Sequence, residues 1–193
     1  MRKVKPLLLF ISFISIHFIL SAQIIPVKNA LQTDLAKVIG DYPNHFNNFV
    51  GELLVKNPQS TDYKSLLVLK GAEECTVTKY SATGKEVYSW QALMLKTESF
   101  DEASKKFNSL YNSLQNLSVH VSSSDFVFKA SYERPVEEKK FTSLVFKNSK
   151  EEKIPSRLRL ELSMEYQLLE WEVKILIYDR DREDDERGQI KEQ

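Results

Sequence analysis

Two neighbouring stretches late in the chain alternate with period two. In Ser156–Tyr166, "SRLRLELSMEY", Leu158, Leu160, Leu162 and Met164 project one way, and Arg157, Arg159 and Glu161 the other. In Leu169–Tyr178, Leu169, Trp171, Val173, Ile175 and Ile177 oppose Glu170, Glu172 and Lys174. Successive side chains point to opposite faces of a strand, so each stretch reads as a strand with one buried and one wet face. A helix would scatter the same residues around its circumference. A hairpin around Glu165–Leu168 joins the two strands. It predicts that Arg157, Arg159 and Glu161 meet Glu170, Glu172 and Lys174 across the wet face, each exposed pair worth about 0.2–1 kcal/mol.

This hairpin fixes a sheet, and the rest of the chain is read against it. Cys75–Ser81 and Glu86–Lys96 are strand-like and flank a turn that contains Gly84. Glu86–Lys96 is apolar on both faces, with Tyr88, Trp90, Ala92 and Met94 on one and Val87, Leu93 and Leu95 on the other. A central strand covered on both sides has this pattern. Further strand-like runs fall within Tyr63–Lys70 and residues 117–147. Helical spacing appears elsewhere. Ser99 and Glu102 form an S-x-x-E capping box. Ala103, Phe107, Leu110, Tyr111 and Leu114 then recur at helical intervals. Leu31, Leu35, Val38 and Ile39 make a similar stripe within Asn29–Ile39, closed by Gly40 and Pro43. Phe46, Phe49, Val50 and Leu53 suggest a second short helix over 44–54, which Gly51 weakens by about 1 kcal/mol. The predicted fold is α+β: an antiparallel sheet of about six to seven strands, with one central helix over 99–115 and one or two N-terminal helices packed on it.

The chain opens with Arg2, Lys3 and Lys5. An apolar run from Leu7 to Leu20 follows, then the small residues Ser21 and Ala22. That is the layout of a secretory signal peptide cleaved after Ala22, and it resembles those of exported bacterial proteins. The apolar run is shorter than the roughly 20 residues a membrane span needs, so no stable span is expected after cleavage. The domain reading is a signal over 1–22, one α+β domain over 23–178 and a charged tail over 179–193. Cleavage removes three basic residues from a chain with 27 basic and 27 acidic ones, leaving a formal charge of about −3. Such a balance gives no electrostatic reason to expect nucleic acid. Cys75 is the one cysteine, so no intramolecular disulfide staples the fold. Glu73 and Glu74 beside it work against a thiolate nucleophile, which favours a buried apolar role.

Chemistry-bearing motifs are sparse. His45 and His120 are the histidines beyond the signal, and their surroundings do not suggest a metal site. No G-x-S-x-G, H-E-x-x-H or phosphate-cradling glycine loop occurs. The acidic tail imitates a calcium loop, but Asp184 or Glu186 falls where the sharp turn requires glycine. No cofactor or metal is therefore expected. The aromatic side chains are the more suggestive group, and Tyr88, Trp90, Tyr111 and Trp171 are the candidate ligand-binding residues of a cleft between helix and sheet.

These features point to an exported, periplasmic or extracellular, non-catalytic binding or interaction module. Its partner would be a protein, a peptide or a small apolar or sugar ligand. One alternative is a small hydrolase-type enzyme with a carboxylate site that leaves no local motif. Another is a structural envelope component held by an uncleaved N-terminal anchor.

Overall fold

The computed structural model describes residues 30–82, 85–121, 124–149 and 157–179. The proposed signal peptide and residues 180–193 of the proposed tail lie outside them. The elements run α1 (Ala30–Gly40), β1 (Val50–Lys56), β2 (Ser60–Ser65), β3 (Glu74–Ala82), β4 (Lys85–Thr97), α2 (Phe100–Leu114), β5 (Ser118–Val121), β6 (Ser124–Lys129), β7 (Phe141–Asn148), β8 (Leu158–Gln167) and β9 (Glu170–Asp179). All nine strands join one antiparallel sheet in the order β1-β2-β3-β4-β9-β8-β7-β6-β5. The α+β class stands, but the expected six to seven strands become nine among the described residues.

A strand that the sequence reading lacked, β1, comes from the stretch 44–54 where a second short helix was expected. Helix formation there stops because His45 and Phe46 adopt φ of 55° and 58°, a conformation that cannot continue a right-handed helix. Two short 3₁₀ turns result, wrapped around Asp41. Its carboxylate accepts hydrogen bonds from Asn44 Nδ2 and from Asn48 N and Nδ2. Gly51 then serves extended backbone: a Cβ on it would lie 2.7 Å from the carbonyl oxygen of Lys64 on β2. The run expected over 63–70 is strand only to Ser65, as the end of β2.

The centre of the sheet follows the alternation closely. Trp90, Ala92 and Met94 of β4 are buried on the face that α2 covers, together with Val173, Ile175 and Ile177 of β9 and Leu158, Leu160, Leu162 and Met164 of β8. From α2, Ala103, Phe107, Leu110 and Leu114 close the core. Ser99 Oγ accepts the Glu102 N–H at 3.3 Å, satisfying one orphan donor of the first turn. Helix α1 adds Leu35, Val38 and Ile39 and packs on β5 and α2.

The β8–β9 register differs from the expected one. The turn is Leu168–Leu169, with Gln167 opposite Glu170. Arg159 therefore faces Tyr178, Glu161 faces Leu176 and Ser163 faces Lys174. The predicted ion pairs give way to Lys174 with Glu165 (2.6 Å) and Glu172 (2.7 Å), and Lys96 with Glu170 (2.9 Å). Nor is this second face uniformly wet. Glu161, Ser163, Leu176, Tyr178, Thr76, Thr78 and Ser89 are buried on it, forming a hydroxyl-rich floor without a described helix above it.

Candidate functional site at the edge of β7

The aromatic residues singled out from the sequence do not converge on a cleft. Trp90 is fully buried, its Nε1 donating to Ser65 Oγ at 2.9 Å. Trp171 is buried against Phe100 and Tyr166, with ring centroids 5.2 and 5.1 Å away. Tyr88 packs against His45 (5.2 Å), and Lys79 Nζ lies 5.6 Å from its ring centroid. Tyr111 lies apart from these three: it is half-buried, packs in tilted ring contacts with Tyr132 and Phe146, and donates to the Ala130 carbonyl at 3.3 Å. Tyr111 contacts Ala130 and Tyr132, which line the opening described below. Cys75 is buried, and burial followed by the Glu74 charge pushes its thiol pKa up, against a partly offsetting hydrogen bond from Leu69.

The opening exists because β6 leaves the sheet early. β6 and β7 pair at Phe128–Asn148 and Lys129–Lys147 among the described residues. Beyond Lys129 the chain runs as irregular coil through Val136. Side chains of α2 and its end draw it away. Gln115 Oε1 accepts from Ala130 N at 3.1 Å while Gln115 Nε2 donates to Ala130 O at 3.3 Å. One amide thus stands in for a neighbouring strand. Two residues on, the Tyr132 ring packs tilted against Tyr111 at 4.9 Å and its hydroxyl donates to Asn108 Oδ1 at 2.6 Å. Pro135 is buried and, having no N–H, cannot rejoin a ladder as donor.

β7 is thereby left with an open edge. In an antiparallel ladder, alternate residues direct both N–H and C=O to the same side. Tyr166 N on β8 donates to Lys140 O, and Ser149 N donates to Val127 O on β6, each at 2.8 Å. Even-numbered residues of β7 therefore face β8, and odd-numbered ones face β6 or, where β6 has gone, the opening. Ser143 and Val145 present their N–H and C=O groups there, and no described residue bonds to them. Between this edge and residues 129–133 lies an open groove of about 620 Å³, lined by Lys129, Tyr132, Ser143, Val145 and Lys147 among others. That volume lies within the range of ligand sites, about 300–1,000 Å³.

The β7 wall of the groove is held from the helix-free face. The buried Glu161 carboxylate accepts from Ser143 Oγ through Oε1 and from Tyr178 OH through Oε2, the latter at 2.8 Å. Ser143 thus spends its hydroxyl on anchoring β7 and keeps its backbone for the groove. At one end, Lys129 and Lys147 are directly opposed cross-strand partners and exposed, an unfavourable like-charge pairing. At the other end, Phe141 is 49% exposed. The lone acid among the groove-lining residues, Glu133, is engaged by Lys139 at 2.6 Å.

Sequence reasoning missed these groups because their defining property is backbone left unpaired, which has no residue signature. The available signal was Pro135 a few residues past a strand. Among the described residues no cluster of His, Cys, Asp and Glu could hold a metal ion, and no helix is long and apolar enough to cross a membrane. The chain matches no protein-family model, no curated protein and no solved structure.

Proposed function

We propose that the chain is an exported, non-catalytic binding module whose ligand surface is the groove along the outer edge of β7. The observation that carries this reading is the pair of unpaired backbone positions, Ser143 and Val145, facing a groove of ligand size. Polar backbone at a sheet edge is a template for a ligand that supplies complementary donors and acceptors. Export rests on the basic, apolar and small-residue segments of residues 1–22.

The carboxylate-hydrolase alternative would centre on Glu161. Its two oxygens are each taken by a hydroxyl, from Ser143 and Tyr178, which favours an anchoring role. N-terminal sequencing of the exported protein separates the module from the anchored envelope component: a start at Gln23 fits the module, and an intact Met1 fits the anchor. The binding reading is tested with Val145→Pro. This change removes an N–H that points into the groove from an edge where proline is tolerated. Partners captured from the cell envelope or medium by the wild-type chain should be lost by a variant with unchanged circular dichroism. Equal capture by both would place binding elsewhere.

A further inference from the structure

We propose that the occupant of the groove is an extended peptide segment added as a strand antiparallel to β7, with an acidic residue at its first position and an apolar residue at its fifth. This rests on the reading of the groove as the ligand surface and names what that surface selects.

Direction and length follow from the ladder. β6 runs antiparallel to β7 and ends opposite Lys147, so an added strand that keeps the sheet's pattern continues the line of β6 from Val145 towards Phe141. Five residues span that distance, about 13 Å at strand rise. The second and fourth residues of the peptide present their side chains to the side of Tyr111 and Tyr132. The first, third and fifth lie opposite Val145, Ser143 and Phe141 on the helix-free face.

Side-chain chemistry fixes two of those three positions. The first residue lies next in line after Lys129 and diagonal to Lys147, and long side chains reach across such diagonals. A carboxylate there relieves the opposed lysines. Groups of the other sign nearby are already engaged: Glu133 by Lys139, and Glu161, one strand further across from Val145, by two hydroxyls. The fifth residue meets the exposed ring of Phe141, whose burial rewards an apolar side chain. The third, opposite Ser143, is left unspecified because that hydroxyl is committed to Glu161.

The test uses fluorescence anisotropy on the mature full-length chain with two labelled seven-residue peptides. Both carry leucine at the apolar position, and they differ in glutamate or lysine four residues before it. The glutamate peptide should bind about five- to tenfold more tightly, with the gap closing as salt rises. Lys147→Glu should reverse the preference. Amide exchange of Ser143 and Val145 should slow when the glutamate peptide binds. If both peptides slow those amides with equal affinity, the acidic selectivity is wrong while the groove still binds strands. If neither peptide slows them, and partners of the chain do not either, the groove reading falls with it. A concentration-dependent dimer that protects the same two amides would also overturn the proposal, in favour of a second copy.

Discussion

The β8–β9 hairpin and the β6–β7 junction are built from the same kind of strand and reach opposite ends. β8 pairs with β9 from Leu158–Asp179 to Gln167–Glu170, and β9 is paired on its other side by β4. Among the described residues β6 pairs with β7 at two positions and departs. The difference lies in what competes for the strand. Around β9 one face is apolar core and the polar side chains of the other pair among themselves, so the ladder is the best use of its backbone. Past Lys129, an amide from Gln115 and the ring contact of Tyr111 with Tyr132 offer β6 another set of bonds, and Pro135 makes return to the ladder costly. A sheet can thus be closed in its centre and open at one flank without any strand being short of β-forming residues.

The contrast is broken most severely at the centre. Trp90→Ala should destabilise the fold by about 3–5 kcal/mol, because it empties the middle of the core and removes the indole N–H that Ser65 Oγ accepts; urea denaturation measures it. The same experiment on Lys147→Glu at the groove mouth should shift stability by under about 0.5 kcal/mol. A large loss there would mean that the edge is structural. Between them lies Glu161→Ala, which removes the buried acceptor of the Ser143 and Tyr178 hydroxyls and should cost about 1–3 kcal/mol. Glu161→Gln, which keeps an acceptor, should cost less.

The closed hairpin also carries strain that can be removed. Leu168 and Leu169 hold φ of 48° and 72° at the turn and are 90% and 76% exposed. A two-residue hairpin loop with both φ positive favours Asn-Gly. Replacing the pair by Leu168→Asn and Leu169→Gly should raise stability by about 1–2 kcal/mol, seen as a higher midpoint in thermal melts.

How far the sequence could be read follows the same division. The alternation over 158–178 and the Ser99–Glu102 cap were legible because local pattern and tertiary burial agree there. The register was not, since Leu169 reads as the first residue of the second strand, and Glu165–Leu168 as the turn, whereas the turn is Leu168–Leu169. β1 was misread because Phe46, Phe49, Val50 and Leu53 share helical spacing while the backbone at His45 and Phe46 turns left-handed. Nor was the groove legible: Gln115 lies 15 residues from Ala130 in the chain, and only the packing of α2 brings them together.

A smaller effect concerns alkaline pH. Burial first, then the hydrogen bond (2.6 Å) and charge of Asp179, raises the Tyr42 phenol well above its ordinary range. Burial pulls Lys174 down, but Glu165 and Glu172 outweigh it and hold the ammonium above its usual pKa. Both shifts are upward, so both contributions are whole below the unfolded pKa values, near 10, and are lost as pH rises beyond them. Tyr42→Phe should flatten that alkaline loss, at a cost near neutrality of about 1 kcal/mol for the missing hydrogen bond.

The open edge itself is tested most directly by residue-resolved amide exchange on the ligand-free protein. The amides of Ser143 and Val145 should exchange orders of magnitude faster than those of Thr142, Leu144 and Phe146, which the β7–β8 ladder holds. Uniform protection along the five residues would mean that the flank of β7 is already paired, and would contradict the groove as a binding surface.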